Sequence, residues 1–299
     1  MPINQSLITG VHQCDFKSIA RAISIVENNS IQALELLKKL SVNNSIPIIG
    51  VTGAPGAGKS TLVNAMIAHL LKQNKKIAVL AVDPSSPFNL GALLGDRIRI
   101  SDHFDNENLY IRSIATRGSL GGLSNSILET ADVVRSAGFD FVFVETVGVG
   151  QSEVEVAGMA DTTIVVMVPE GGDEVQTMKA GIMEIANVFV VNKADRPGSD
   201  SMIKNLSAMV HEKEGVVKIF PTIATQNKGI EELINHLSAL QSNEKNKALK
   251  SQLMARKAFR IIQSLRMKDI NFEQLSQLIE QEMVKPGFNL YQMLSKFTS

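Results

Sequence analysis

The sequence predicts an α/β protein: a mostly parallel β-sheet with helices on both faces, extended by helices at each end of the chain. Three observations predict this class. Short apolar runs follow one another from residue 46 to residue 224, and segments with helical periodicity lie between most of them. The runs are apolar at successive positions, as strands buried on two sides are. The chain before residue 46 and after residue 240 contains helical patterns without such runs.

These patterns predict the individual elements. The strand runs cover 46–52, 76–83, 108–114, 139–145, 162–169, 187–193 and 216–224. Helical spacing covers 16–29, 30–40, 59–73, 122–137, 174–186, 199–213, 229–237, 242–265, 271–284 and 288–297. Ser30 is the expected N-cap of the second helix. We therefore expect an N-terminal helical segment over 1–45, an α/β domain over 46–240 and a C-terminal helical extension over 241–299.

Composition excludes several classes of protein. The 299 residues are 44% hydrophobic, and 30 basic residues balance 30 acidic ones. The chain therefore lacks the basic field that a nucleic-acid or anionic-membrane partner favours. A single cysteine, Cys14, excludes a disulfide framework and a cysteine-built metal site. No signal peptide is visible, and no apolar run reaches the ~18 residues of a membrane span. We expect a soluble, cytoplasmic protein.

Residues 53–61, GAPGAGKST, match the phosphate-binding pattern G-x-x-x-x-G-K-[ST] between a predicted strand and a predicted helix. Glycines in such a loop let backbone N–H groups turn toward phosphate oxygens, and the helix N-terminus adds a favourable dipole. Lys59 would reach the terminal phosphates, and the Ser60 hydroxyl would bind Mg²⁺. The predicted fold is therefore that of a P-loop NTPase. The predicted nucleotide-binding residues of this loop are Gly53, Ala54, Pro55, Gly56, Ala57, Gly58, Lys59, Ser60 and Thr61.

The tetrapeptide NKAD at 192–195 ends another predicted strand and matches the N-K-x-D pattern of guanine recognition. Asp195 would accept hydrogen bonds from the guanine N1–H and 2-amino groups, which adenine does not offer. Lys193 would lie along the base and ribose. The stretch 222–225 stands where a second base-contacting loop belongs, and it would act through backbone N–H groups. The predicted ligand is GTP or GDP, and the predicted base-site residues are Asn192, Lys193, Asp195, Ile223, Ala224 and Thr225.

Three carboxylates are candidates for a magnesium site. Glu145 ends the fourth apolar run, Asp83 ends the second, and Asp96 lies in the stretch LLGDRIR. Mg²⁺ prefers oxygen ligands and keeps several waters, so one or two carboxylates with Ser60 and phosphate oxygens suffice. Asp83 could instead belong to a simple turn, and Asp96 to a solvated charge cluster. The predicted metal-side residues are Ser60, Asp83, Asp96 and Glu145.

The segment 145–151, ETVGVGQ, has the form of a phosphate-sensing switch: an acid, two residues and a glycine after an apolar strand. In Ras-like GTPases, a water-positioning glutamine follows that glycine. Here Val149 follows Gly148, and Gln151 comes two positions later. We expect Gly148 to contact the γ-phosphate through its backbone. We also expect slow turnover by the protein alone, because nothing at position 149 can hold the attacking water.

Two further glycine-rich segments, 116–124 and 169–179, follow predicted strands on the nucleotide side of the sheet. They could be ordinary turns, or they could move and bring additional groups to the phosphates. Arg117, Gln151 and Lys179 are candidates for groups that act when a partner docks. The predicted catalytic residues are Lys59, Gln151 and Lys179.

Taken together, these motifs resemble a known family. The chain is similar to the MeaB/ArgK/MMAA group, the methylmalonyl-CoA mutase-associated G-protein chaperones within the SIMIBI class of P-loop GTPases. The resemblance covers roughly residues 46–237. It is carried by IGVTGAPGAGKSTL, AVDPSSPF, GALLGDRIRI, IRSIATRGSLGGLS, FVETVGVGQSEVEVAGMAD, PEGGDEVQTMKAGIMEIANVFVVNKADRPGSD and GIEEL. The joined run 141–200 is the most specific part.

The resemblance implies a function. Such proteins bind GTP and Mg²⁺, hydrolyse GTP slowly alone and form homodimers through C-terminal helices. They associate with adenosylcobalamin-dependent acyl-CoA mutases, gate cofactor loading and help eject damaged cofactor. The segment 169–179 matches the family's third switch, with Lys179 as its polar end. The connection between NKAD and GIEEL is shorter than is usual, and TQNKG at 225–229 replaces a more Gly-rich turn, which affects the base contacts expected from 222–225.

Two other functions are compatible with a P-loop. A GTPase that inserts nickel or cobalt needs a Cys or His delivery site. The five histidines are scattered, however, at positions 12, 69, 103, 211 and 236. A kinase, the older label within the resembled family, needs a base that accepts a substrate hydroxyl proton, and the sequence shows no separate acceptor-side constellation.

Overall fold

Each predicted apolar run forms a strand, and in the computed structural model the strands make one parallel sheet. The strands are β1 Ile48–Gly53, β2 Ile77–Asp83, β3 Leu109–Ala115, β4 Phe141–Glu145, β5 Thr162–Met167, β6 Val188–Asn192 and β7 Lys218–Thr222. Their order across the seven-stranded sheet is β3-β2-β4-β1-β5-β6-β7, and every neighbouring pair is parallel. The predicted fold class is confirmed.

The helices of the described residues also lie close to their predicted positions. They are α1 Gln5–His12, α2 Phe16–Glu27, α3 Ile31–Lys39, α4 Lys59–Lys72, α5 Ile127–Arg135, α6 Ser199–His211, α7 Ile230–Leu240, α8 Lys247–Arg266, α9 Phe272–Met283 and α10 Leu290–Leu294. The structure describes residues 4–28, 31–83, 103, 105–115, 126–146, 156, 159–170, 185–211, 217–240, 247–267, 272–285 and 288–294. The predicted helix 174–186 and the N-cap Ser30 fall mostly or wholly outside these residues.

Helices cover both faces of the sheet because alternate strand residues point to opposite sides. On one face, residues such as Val51 and Phe143 pack against Leu62 and Met66 of α4 and against α7. On the other face, Val142 and Val144 belong to a core that includes α1, α2, α3 and α5. Helix α6 packs on that same face of β5 and β6. Burial on both sides explains why the strand sequences are continuously apolar.

The N-terminal helices share a core with the sheet. Phe16 of α2 lies 5.3 Å from the ring of Tyr110 and 6.4 Å from that of Phe139, measured between ring centroids. Arg112 of β3 also forms an ion pair with Glu27 of α2. The sequence patterns do not single out helix α1, although its N-cap is visible: Asn4 accepts a hydrogen bond from the Ser6 N–H at 3.1 Å.

The chain divides into two compact units, residues 1–246 and residues 247–299. The predicted boundaries after residues 45 and 240 stay a prediction. The second unit contains α8, α9 and α10. None of the helices in the described part of the chain is long and apolar enough to cross a membrane.

A buried ion pair anchors the edge of the sheet opposite the strands' carboxyl ends. Asp161, just before β5, forms an ion pair with Arg135 at the end of α5, and their side chains are 15% and 6% exposed. The Asp161 carboxylate also accepts a hydrogen bond from the Ile48 N–H at 2.9 Å, and Arg135 Nε donates to the Ile46 carbonyl at 3.0 Å. The pair therefore joins α5, β1 and β5.

Asp161→Ala should lower the free energy of unfolding by about 3 kcal/mol, because removing one partner leaves the Arg135 charge buried and unpaired. Denaturant unfolding followed by far-UV circular dichroism measures the change. Lys75→Ala is the control: it removes an ion pair with Asp140 whose side chains are 43% and 40% exposed, so it should cost less than ~1 kcal/mol. Equal effects of the two substitutions would contradict the assigned role.

Candidate nucleotide-binding site

The phosphate-binding loop connects β1 to α4 and contains three glycines with positive φ, Gly53, Gly56 and Gly58. Gly53 has φ 140°, and an added Cβ would stand 2.1 Å from the Val166 carbonyl oxygen of β5. Gly58 has φ 86° and is the N-cap of α4. The loop leaves β1 so close to β5 that only glycine fits at position 53. The N-terminal turn of α4 then follows directly, and its end of the helix dipole favours an anion.

The Lys59 ammonium lies inside this loop. Lys59 is 6% exposed, and its Nζ donates hydrogen bonds to the carbonyls of Gly53 at 2.8 Å and Ala54 at 2.9 Å. These carbonyls hold the long side chain back over the loop, so its charge stands where phosphate oxygens would enter. A buried ammonium ion surrounded by backbone dipoles is suited to binding a polyphosphate.

Ser60 and Glu145 form the centre of the predicted magnesium site. The Ser60 hydroxyl donates to Glu145 Oε1 at 2.5 Å, and the two residues are 7% and 6% exposed. A hydroxyl and a carboxylate are hard oxygen donors, which Mg²⁺ prefers, so this pair fits the ion. Within the described residues, no group of three His, Cys, Asp or Glu side chains surrounds a common point. Ser60 and Glu145 are thus two of the four predicted metal-side residues, and phosphate oxygens and water are the further ligands that such an ion commonly takes.

Asp83 is the last residue of β2, next to β4 in the sheet. Ala81 of β2 pairs with Glu145 of β4, so the Asp83 backbone lies two residues farther along the same carboxyl edge. The strand order thus brings together the ends of β1, β2 and β4 that carry the loop lysine, Asp83 and Glu145. The role of Asp83 in metal binding stays a prediction.

Asn192 joins three loops of the site. Its Nδ2 donates to the Ala57 carbonyl of the phosphate-binding loop at 3.0 Å. Its Oδ1 accepts from the Thr222 hydroxyl at 3.1 Å and from the Ala224 N–H at 3.3 Å. Asn192, Thr222 and Ala224 are buried. One amide therefore holds the predicted base-binding segments beside the phosphate-binding loop, across 135 residues of sequence.

The remainder of NKAD follows β6 and lies beside the phosphate-binding loop. Lys193 has φ 56° and donates from Nζ to the Gly56 carbonyl at 2.9 Å. Asp195 is exposed. Its neighbour Arg196 forms an ion pair with Glu170, just after β5, and this hydrogen-bonded guanidinium lowers the pKa of Glu170. Asp195 therefore lies on a turn that is fixed by the contact of Lys193 with Gly56 on one side and of Arg196 with Glu170 on the other.

The 222–225 segment uses two of its backbone N–H groups inside the protein. The Ile223 N–H donates to the Lys228 carbonyl at 3.1 Å, and the Ala224 N–H donates to Asn192. In this structure these amides shape the loop. Thr225 follows in a short 3₁₀ turn, Ala224–Gln226, and is exposed. Base contact by Ile223, Ala224 and Thr225 stays a prediction.

Several predicted site residues lie outside the described residues: Asp96, Arg117, Gly148, Gln151 and Lys179. Their assignments to metal binding, phosphate sensing and catalysis stay predictions. Sequence reasoning missed Thr222, whose hydroxyl orients the Asn192 amide, and the Glu170–Arg196 ion pair. A polar residue inside an apolar strand run was the available signal for Thr222, whereas nothing in the sequence indicates which cation pairs with Glu170.

Gly58→Ala should weaken nucleotide binding by at least about tenfold, because the new Cβ would stand 2.5 Å from Asn192 Nδ2 and force two loops of the site apart. The affinity for a fluorescent GTP analogue measures the change. Gly138→Ala is the control, since Gly138 has φ 75° but open space around its Cβ position. It should cost about 1 kcal/mol of stability and leave the affinity intact. Equal affinities of the two variants would contradict the role of Gly58.

The sequence is similar to known proteins over most of its length. Residues 19–281 match the family model described as methylmalonyl-CoA mutase-associated GTPase MeaB. A protein of Pyrococcus horikoshii named as a GTPase is 46% identical over 240 residues, which are 78% of this chain and 75% of that protein. The mouse protein named methylmalonic aciduria type A homolog, mitochondrial, is 38% identical over 204 residues, covering 63% of this chain and 49% of its own.

Solved structures of other proteins share this fold. The crystal structure of a protein named LAO/AO transport system kinase superposes with a TM-score of 0.69 and 25% identity, covering 100% of both chains. The hydrogenase maturation factor HypB of Archaeoglobus fulgidus, at 18% identity and a TM-score of 0.50, shares the fold. Because the family match spans most of the sequence and includes both nucleotide motifs, the chain belongs to the MeaB family of methylmalonyl-CoA mutase-associated GTPases.

Proposed function

We propose that this protein is a GTP-binding and hydrolysing chaperone of an adenosylcobalamin-dependent acyl-CoA mutase of the methylmalonyl-CoA type. It gates the loading of the cofactor and protects or reactivates the mutase. The observation that carries the proposal is membership of the mutase-associated GTPase family over residues 19–281. The joined phosphate and base loops support the nucleotide half of the proposal, and the family's name supports the mutase half.

The phosphate end of the site supplies charge stabilisation. Lys59 and the backbone amides of residues 53–61 bind the β- and γ-phosphates and stabilise the charge that develops during transfer of the γ-phosphoryl group to water. Ser60 and Glu145, with Asp83 and Asp96 available, would hold Mg²⁺, which would further neutralise the phosphate charge. The contact between Ser60 and Glu145 keeps both oxygen donors together.

The base end of the site supplies selectivity. Asp195 accepts hydrogen bonds from the guanine N1–H and 2-amino groups, and Lys193 lies along the base. The exposed position of Asp195, beside a turn anchored by Lys193 and Arg196, supports this role. Adenine offers neither donor to the Asp195 carboxylate, so binding it would leave that carboxylate unpaired.

Turnover is slow in the protein alone. Val149 occupies the sequence position after Gly148, so no side chain at that position holds the attacking water. Gln151, Lys179 and Arg117 are the groups that complete the site when the mutase docks. The segment 169–179 is the third switch, through which the mutase and the nucleotide site communicate.

The C-terminal unit forms a homodimer. Its support is a set of large apolar side chains that are exposed on α8: Met254 at 50%, Phe259 at 63%, Ile262 at 50% and Leu265 at 47%. Exposed apolar groups on one helix favour an interface. A second chain of the same kind buries them by packing helix against helix.

The two alternative functions have weaker support. A metal-insertion GTPase needs a cluster of Cys and His, and the described residues contain no group that could hold a metal through three such side chains. The kinase alternative is supported by a name alone, that of a structural relative called a transport system kinase. The sequence shows no separate acceptor-side constellation for a kinase.

Asp195→Asn should reduce the affinity for GTP by at least about 100-fold, because the amide replaces one acceptor for guanine N–H groups by a donor. Competition between GTP and ATP for a fluorescent GTP analogue measures the change. Asp200→Asn is the matched control, since it makes the same charge change at an exposed position in the first turn of α6. Unaltered GTP binding by Asp195→Asn would show that the guanine assignment is wrong.

GTP turnover should rise by at least about tenfold when purified methylmalonyl-CoA mutase is added, because the partner completes the switch. Phosphate release under single-turnover conditions measures it, with an equal concentration of an unrelated protein as the control. Fast hydrolysis by the protein alone, unchanged by the mutase, contradicts the proposal.

A further inference from the structure

Two buried threonines lie on the reverse side of the sheet from the predicted magnesium site. Thr52 precedes the phosphate-binding loop, and Thr146 directly follows Glu145. They are 0% and 1% exposed, and the Thr146 hydroxyl donates a hydrogen bond to the Thr52 hydroxyl at 3.2 Å. Thr52 precedes the phosphate-binding pattern, and Thr146 lies within the segment 145–151, but no role has been assigned to either hydroxyl in the function described so far.

The strand register explains why these two residues meet. In the parallel pair of β1 and β4, Val51 stands beside Glu145. The next residues in each strand, Thr52 and Thr146, are therefore neighbours, and alternation turns them to the opposite face. The Thr146 N–H also donates to the Val51 carbonyl at 3.1 Å, which extends the ladder one residue past Glu145.

Glu145 is the terminal residue of β4, and strand ends are the least constrained part of a ladder. The distance of 2.5 Å between Glu145 Oε1 and the Ser60 hydroxyl depends on where the end of β4 lies relative to α4. The hydrogen bond from Thr146 to Thr52 lies on the opposite face of the sheet, one residue after Glu145. It therefore restrains the position of Glu145 along the strand and its rotation about the strand axis.

We propose that the hydrogen bond from Thr146 to Thr52 positions the Glu145 carboxylate for Mg²⁺, so that Thr146 and Thr52 are positioning residues for metal-dependent nucleotide binding. The inference rests on the proposed metal role of Glu145. Thr146 is 1% exposed and its hydroxyl bonds to Thr52, so it acts by fixing the strand end. Burying two hydroxyl groups without hydrogen bonds would be unfavourable. Because the Thr146 and Thr52 hydroxyls bond to each other, both are paired, and the bond also restrains the geometry of the strand end.

The test compares the affinity for a fluorescent GTP analogue with Mg²⁺ and with EDTA in the full chain. Thr146→Val removes the donor and keeps the side-chain shape. It should lower the affinity measured in Mg²⁺ by about tenfold and leave the affinity in EDTA unchanged. Thr52→Val, which removes the acceptor, should give the same result. Thr146→Ser keeps the hydroxyl and should therefore bind the analogue with the wild-type affinity.

Two variants separate positioning from a purely structural role. Thr130→Val removes another fully buried hydroxyl, on α5, for which no hydrogen-bond partner is found in the described part of the chain. It should leave the affinity in Mg²⁺ unchanged. The double variant Thr52→Val/Thr146→Val replaces both partners by apolar groups, so it should recover thermal stability. It should not recover the affinity in Mg²⁺, and recovery of both properties together would overturn the inference.

Glu145→Gln distinguishes the outcomes. If Glu145→Gln reduces the affinity in Mg²⁺ and Thr146→Val does not, the metal role of Glu145 stands and the positioning role of Thr146 is wrong. If Glu145→Gln has no effect, the metal role is wrong, and the positioning role fails with it. Parallel losses in Glu145→Gln, Thr146→Val and Thr52→Val, measured in Mg²⁺ alone, support the inference.

Discussion

The position of β1 between β4 and β5 is the constraint on which the rest of the structure depends. Parallel pairing on both sides brings the carboxyl ends of these strands to one edge. The phosphate-binding loop leaves from the end of β1, and Gly53 is required because β5 lies too close for a side chain. Glu145 reaches Ser60 because β4 ends one strand away. A different neighbour for β1 would separate these groups without changing any motif.

Hydrogen bonds between loops then convert a shared edge into a site. The Asn192 amide contacts Ala57, Thr222 and Ala224, so the phosphate and base segments are held in one arrangement before a ligand binds. Such pre-organisation reduces the ordering cost of binding. The lysines of the two motifs have a related role, since Lys59 and Lys193 each donate to carbonyls of the phosphate-binding loop. The loop is therefore supported from inside and from the base side.

The fold was largely predictable because its signals are local. Strands buried on both faces must be continuously apolar, which located all seven strands within a few residues. Even Pro221 is consistent with β7, because this strand lies at the edge of the sheet, where a missing N–H is tolerated. Helix α1 was harder to identify because eight residues carry little periodicity. For the site, the sequence named Ala57, Lys59, Ser60, Glu145 and Asn192 as candidates, whereas the contacts of Ser60 with Glu145 and of Asn192 with Ala57 and Thr222 came from the structure.

The sequence by itself determined the parallel α/β class, the nucleotide motifs and the unusual switch in which Val149 follows Gly148, because these depend on residue type at short spacing. Only the tertiary structure decided the strand order, the contact of Ser60 with Glu145 and the pairing of Thr52 with Thr146. These features join residues that are 85 and 94 positions apart, so they depend on which strands become neighbours. Local patterns carry no information about that choice, since apolar strands of similar composition can pair in many orders.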